Sequence, residues 1–275
     1  MRFGHSRPRV YDTDLGGNRH AHLSTLSYSC RSGIHRFIGG VIFLWVPPCC
    51  GFKGKPKEAH TIWGPLKKTH RILGLRCQIP IMSEWYGQVH ELMLKESVTK
   101  DNIAGAVSGC KTIRLRDGML DLLQACQTHD PVIPVIIMSA GLGDVIEEFL
   151  RQVPFELGAS THIVSNRMAF DAAGRLVEFS EPLLHMFNKT AAFFPEATKE
   201  LVKGRRFCML FGDGVGDSTM ADGLEVETLK VGFLNEKVEE RLLEFQQKFD
   251  VVVTGDGPVP ELAFAAIGAK SAALA

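Results

Sequence analysis

Residues 209–223, Met-Leu-Phe-Gly-Asp-Gly-Val-Gly-Asp-Ser-Thr-Met-Ala-Asp-Gly, place two carboxylates, Asp213 and Asp217, four positions apart on a glycine-rich turn. The apolar run before them (Phe207, Met209, Leu210, Phe211) stops at Gly212. A buried parallel strand ends this way when it delivers acids to the carboxyl edge of a sheet, where open α/β folds bind their ligands. Two acids on such a turn suit a hard cation such as Mg²⁺, which takes few carboxylates and keeps several waters. A solvated acidic loop with an Asp N-cap fits the same pattern.

A second segment bears on that choice. Val132 to Met138 is apolar throughout, Ser139-Ala140-Gly141 makes a small-residue turn, and Val145, Ile146, Phe149 and Leu150 then recur at helical spacing. A hydroxyl followed by backbone N–H groups at a helix N-terminus can cradle a phosphate. An ordinary strand-to-helix loop also favours Ser and Gly. A phosphate cradle and an acidic turn, both at strand ends, say more together than either alone.

The elements that must position these residues follow in order. Glu84–Glu96 and Ile103–Gln127 read as helical, with Asp117-Gly118 interrupting the second. The strand Val132–Met138, a helix over 143–152 and the short strand Thr161–Ser165 come next. Asp171-Ala-Ala-Gly174 joins Met168–Phe170 to Leu176–Phe179 as a hairpin. Ala191–Val202 reads as a helix, followed by the strands Phe207–Phe211 and Leu229–Phe233, the helix Glu236–Phe249, the strand Asp250–Thr254 and the helix Val259–Ile267. Strands alternating with helices imply parallel βαβ units, hence a sheet covered on both faces.

The formal net charge of zero hides an asymmetry. Residues 1–80 hold 13 Lys/Arg against 3 Asp/Glu, and residues 81–275 hold 18 against 28. The first 80 residues also show little periodicity and many turn formers. A nucleic-acid- or membrane-binding arm would read this way, but the basic residues are scattered and lack interleaved aromatics. The apolar run Phe37–Val46 stops at Pro47-Pro48, well short of the roughly 20 residues a bilayer span needs. The 7 cysteines form no Cys-x-x-Cys pair, which fits free thiols in a reducing, cytoplasmic setting. Cys49-Cys50 with His60 has poor spacing for a metal cluster.

Five segments resemble cytosolic 5′-nucleotidase III, the pyrimidine 5′-nucleotidase branch of the haloacid dehalogenase superfamily. They are Ser-Ala-Gly-Leu-Gly-Asp-Val-Ile-Glu-Glu (139–148), Val-Ser-Asn-Arg-Met-Ala-Phe-Asp (164–171), His-Met-Phe-Asn-Lys (185–189), residues 212–223, and Leu-Lys-Val-Gly-Phe-Leu-Asn-Glu-Lys-Val-Glu-Glu (229–240). Glu84-Trp85-Tyr86 and the helix after it resemble that family's helical cap. The resemblance implies an α/β fold: a Rossmann-like haloacid dehalogenase core, its parallel sheet flanked by helices on both faces, with an inserted helical cap. The expected divisions are an N-terminal segment over 1–30 with a possible first core strand, a divergent segment and cap over 31–128, and the core over 129–275.

The implied activity is Mg²⁺-dependent hydrolysis of nucleoside 5′-monophosphates, pyrimidine ones first, through an aspartyl-phosphate. By matching position, Asp213 is a metal ligand and Asp217 a second acid supporting the metal's water shell. Ser139 with the Ala140 and Gly141 amides binds phosphate, and Lys189 bridges phosphate and nucleophile. Lys189 read alone would be an exposed lysine at a helix start. In Asp12-Thr13-Asp14-Leu15-Gly16, Asp12 stands for the nucleophile and Asp14 for the acid/base, both also touching the metal, with Gly16 where the family has Thr. Glu84 is the nearest match to the family's base-contacting Glu. The implied partner is the nucleotide substrate, with no nucleic acid and no membrane. Two alternatives stay open: a relative that binds nucleotide or phosphate without a working nucleophile, and a phosphatase of the same superfamily acting on another small phosphomonoester.

Overall fold

The structure, a computed structural model, describes residues 9–11, 42–44, 75–110 and 113–269. Nine strands are present among them: Arg9–Tyr11 (β1), Ile42–Leu44 (β2), Val135–Leu142 (β3), Thr161–Asn166 (β4), Met168–Phe170 (β5), Leu176–Phe179 (β6), Phe207–Gly212 (β7), Glu227–Leu234 (β8) and Val251–Thr254 (β9). Seven of them form one parallel sheet in the order β1-β9-β8-β7-β2-β3-β4, while β5 and β6 pair separately as an antiparallel hairpin. Helices Leu75–Lys95 (α1), Lys100–Gly109 (α2) and Met119–Thr128 (α3) intervene between β2 and β3 along the chain. Gly143–Gln152 (α4), Glu196–Val202 (α5), Val238–Gln246 (α6) and Glu261–Ala266 (α7) follow.

Side chains alternate across a strand, so a strand buried on both sides feeds two cores. Ile137, Met209, Phe211, Val231 and Phe233 pack into one cluster. Their neighbours Ile136, Met138, Leu210 and Val252 pack into the other. The first cluster continues through Met93, Ile103 and Val107 of the helices before β3 and through Met168, Leu176 and Phe179 of the hairpin.

Strand order reverses at the centre of this sheet. From β2 the chain runs outward through β3 and β4, whereas β7, β8 and β9 are laid down on its other side. Such a switch point opens a crevice at the carboxyl ends of the strands, and Ser139 of β3 and Gly212 of β7, with Asp213 just beyond it, flank it. Between them lies β2, with Ile42 and Phe43 in register with Met209 and Leu210, and Leu44 in register with Ile137. The apolar run too short for a bilayer thus supplies the central strand, a role its sequence did not announce.

The strand leading towards Asp12 lies elsewhere. β1 pairs only with β9, at the sheet edge, three strand spacings or about 14 Å from β7. Asp12 and Asp14 themselves lie outside the described residues.

Two other boundaries depart from expectation. β3 starts at Val135 rather than 132, since Pro134 has no N–H to give the ladder. It then runs on to Leu142 with a register shift between Ser139 and Leu142, so the Ser139-Ala140-Gly141 turn is a bulge inside a strand. The helix expected over 191–202 is a 3₁₀ turn, Ala191–Phe193, and then α5, separated at Pro195. Cys126 and Cys208 are buried and Cys110 is half-buried. No helix among the described residues is long and apolar enough to cross a membrane.

Phe211 is 1% exposed and stacks on Phe233 with ring centroids 6.0 Å apart. Phe211→Ala should cost about 3–5 kcal/mol, read as a lowered denaturant midpoint with little change in slope.

Candidate active site

β7 ends at Gly212 because the chain must turn there and because nothing larger fits. A Cβ on Gly212 would sit 2.3 Å from the Asp217 Cβ. The 3₁₀ turn Val215–Thr219 follows and carries Asp217 back beneath the strand end. One Asp217 oxygen accepts from the Asp213 and Gly214 amides, at 3.1 and 2.9 Å. The other accepts from Lys189 Nζ at 2.7 Å. Lys189 and Asp217 are 2% and 3% exposed, so this ion pair is buried.

Lys189 arrives on the segment 183–189, which is pinned along its length. Asn188 donates to the Leu183 carbonyl and accepts from the His185 amide. Thr219 Oγ1 donates to the Lys189 carbonyl at 3.2 Å. The Met186 carbonyl approaches Gly216 so closely that a Cβ there would lie 2.6 Å from it. His185 accepts from the Phe187 amide through Nδ1, and burial lowers its pKa, so it sits neutral in this loop.

Asp213 is half-buried beside Asp217. Burial first, then the Asp217 charge, pushes its carboxyl up to about 8, against the partial relief of Lys189. A carboxylate so disfavoured when charged is one that a cation would stabilise. Its oxygens, with Asp217 behind it, suit a hard cation such as Mg²⁺ rather than a soft one. Among the described residues no group of three His, Cys, Asp or Glu converges on one point. Asp213 and Asp217 lie together as a pair of carboxylates.

On the other side of β2, Ser139 is fully buried and Ala140 nearly so, and Ser139 Oγ accepts from the Gly141 amide at 3.1 Å. Glu84 is exposed on α1 and accepts from Gln88 at 3.1 Å, one turn on. No described contact joins it to Ser139, Lys189 or Asp213.

Arg116, which the sequence reading did not single out, lines one cavity with Asp213. Its guanidinium lies 4.2 Å from the Phe233 ring centroid, donates to the carbonyls of Gly255 and Gly257 and to Asn235 Oδ1, and is among the charges acting on Asp213. Beside it is a cavity of about 390 Å³ lined by Arg116, Ile137, Phe211, Asp213, Phe233 and Asn235, among others. The only hint in the sequence was an arginine-rich run, 114–117, before a glycine.

The family model "Pyrimidine 5′-nucleotidase (UMPH-1)" matches residues 52–263. The chain belongs to this family. It is a family of 5′-nucleotidases, phosphoric monoester hydrolases with a haloacid dehalogenase-type fold. The matched region includes Ser139, Lys189, Asp213 and Asp217 but begins beyond Asp12, Asp14 and β2. The chain is 39% identical over 180 residues to the "7-methylguanosine phosphate-specific 5′-nucleotidase" of Gallus gallus, covering 64% of this chain and 61% of that one. It is 34% identical over 185 residues to a "Putative cytosolic 5′-nucleotidase 3" of Caenorhabditis elegans, covering 65% and 48%. The chain therefore spans about three fifths or less of these relatives' length. Among solved structures, cytosolic 5′-nucleotidase IIIB bound to cytidine superposes with a TM-score of 0.70 at 24% identity, over 84% of this chain and 86% of that one. A likeness at that identity establishes the shared fold.

Two outcomes follow from this geometry. Lys189→Met leaves the Asp217 carboxylate buried without its cation and should destabilise the fold by about 3 kcal/mol, measured by urea unfolding. For Asp213, the folded-state pKa of about 8 exceeds the ordinary 3.8. Between those values the unfolded chain releases a proton that the folded one keeps, so stability falls as pH rises. Metal-free protein should therefore lose stability from about pH 4 to about pH 8, and Asp213→Asn should flatten that slope; equal slopes in both proteins would contradict it.

Proposed function

We propose that this chain is a Mg²⁺-dependent phosphomonoesterase of nucleoside 5′-monophosphates, acting in the cytosol. The observation that supports it most is the buried Lys189–Asp217 pair beside Asp213, at the carboxyl edge where strand order reverses. Lys189 brings a fixed positive charge to the phosphoryl oxygens, and the Ser139 hydroxyl donates to one of them. Asp213, supported by Asp217, holds Mg²⁺, which supplies further positive charge against the developing phosphoryl charge. Arg116 and Asn235 border a cavity within the usual size range for small ligands, and this is where we place the nucleoside. The resemblance assigns the base contact to Glu84, which is not among the residues lining this cavity.

The resemblance assigns attack on phosphorus to Asp12, with proton transfer to and from the ribose oxygen and water by Asp14. From the relatives' names we add 7-methylguanosine 5′-monophosphate to CMP and UMP as a substrate. A second reading, nucleotide binding without turnover, is favoured by one observation. The strand between the two halves of the site carries Ile42, Phe43 and Leu44 and no acid, while β1 lies at the far edge.

The deciding experiment follows phosphate release and nucleotide binding with each of the three monophosphates, with and without Mg²⁺. Release that needs Mg²⁺ and falls at least about a hundredfold in Asp213→Asn and in Asp12→Asn is the expected result. Binding with no release in the unaltered protein favours the second reading. No binding of any of the three sinks both.

A further inference from the structure

The last two residues of β4 reach across to the bulge that carries Ser139. Ser165 Oγ donates to the Gly141 carbonyl at 2.8 Å, and Asn166 Nδ2 donates to the Ala140 carbonyl at 2.9 Å. A trans peptide is planar, with its C=O and N–H pointing in opposite directions. Fixing the Ala140 oxygen towards β4 therefore turns the Gly141 N–H away from β4, and that N–H donates to Ser139 Oγ at 3.1 Å. An oxygen that accepts there is held in place. Asn166 is 1% exposed, and the same amide also donates to the Leu184 carbonyl and accepts from the Leu184 N–H, at 2.9 and 2.8 Å. Leu184 lies in the segment that delivers Lys189.

We propose that Asn166, with Ser165, is a positioning residue for phosphate binding. It sets the Ser139 hydroxyl through the Ala140–Gly141 peptide plane and ties that plane to the Lys189 segment. Neither side chain touches the phosphate. A purely structural account would explain why a buried Asn is fully hydrogen-bonded, but not why both β4 side chains clamp the two successive carbonyls that follow Ser139. Backbone groups released from such clamps are free to rotate, and the bulge would lose the geometry that aims Ser139. The inference rests on the proposed phosphate role of Ser139 and deepens it.

The test uses the full chain with Mg²⁺ and inorganic phosphate as the probe, titrated by ³¹P NMR, with Mg²⁺ affinity in the absence of phosphate as the control. Asn166→Asp keeps an acceptor for the Leu184 amide but loses both donations, and Ser165→Ala removes a single hydrogen bond. Each should weaken phosphate binding, by about tenfold for Asn166→Asp and a few-fold for Ser165→Ala, with Mg²⁺ affinity unchanged. Ser165→Thr, which retains the hydroxyl, should bind like the unaltered protein.

Because both residues act through Ser139, pairing either variant with Ser139→Ala should weaken binding no further than Ser139→Ala does alone, within about threefold. Losses that multiply would overturn the proposal, as would unchanged phosphate affinity in the single variants. Should Asn166→Asp fail to fold, Ser165→Ala reads the same coupling. If the unaltered protein and Ser139→Ala bind phosphate equally, the phosphate role of Ser139 fails, and the clamp fails with it. If only the β4 variants are silent, the site stands and the clamp alone falls.

Discussion

A lysine and an aspartate, both taken out of water, govern how this site is built. Removing charge from water costs several kcal/mol per ion, and close contact offsets this only when every remaining lone pair is occupied. Asp217 meets that condition through Lys189 on one oxygen and the Asp213 and Gly214 amides on the other. The acidic turn must therefore fold back under the end of β7, and Gly212 must lack a side chain so that it can. The Lys189 segment must in turn dock against Gly216 and Thr219. One ion pair thus dictates the glycines, the 3₁₀ turn and the path of a seven-residue loop.

The same pair explains the condition of its neighbour. With Asp217 satisfied, Asp213 remains a carboxyl group near another negative charge in a half-buried position, so its proton is held far more tightly than usual. The difference between the two acids follows from unequal sharing: they lie four residues apart, and one has taken the lysine.

Much of this was legible in the chain. Gly212-Asp213 at the end of an apolar run marked the carboxyl edge of β7, and the hairpin over 168–179 appeared with the limits the structure gives. Local signals of this kind depend on neighbours in sequence, so they survive folding. What escaped depended on distant partners. The Phe37–Val46 run carries no alternation, so nothing in its sequence marks Ile42–Leu44 as the central strand. Lys189 read alone as a surface residue, since nothing nearby in sequence hints at Asp217. Arg116 and Asn166 serve carbonyls far along the chain, and no periodicity encodes such a bond. The edge position of β1 was hidden for the same reason. A strand of three residues carries too little pattern to name its partner, and Val251–Val253 offered an open edge.

The segment 183–189 also has a mechanical meaning. Its first part hangs from β4 through Asn166, and its last part is anchored to the turn after β7 through Thr219 and Asp217. Those two anchorages belong to opposite halves of the sheet, separated by β2 and β3. The ammonium group of Lys189 thus sits at the end of a short tether tied to both halves of the sheet.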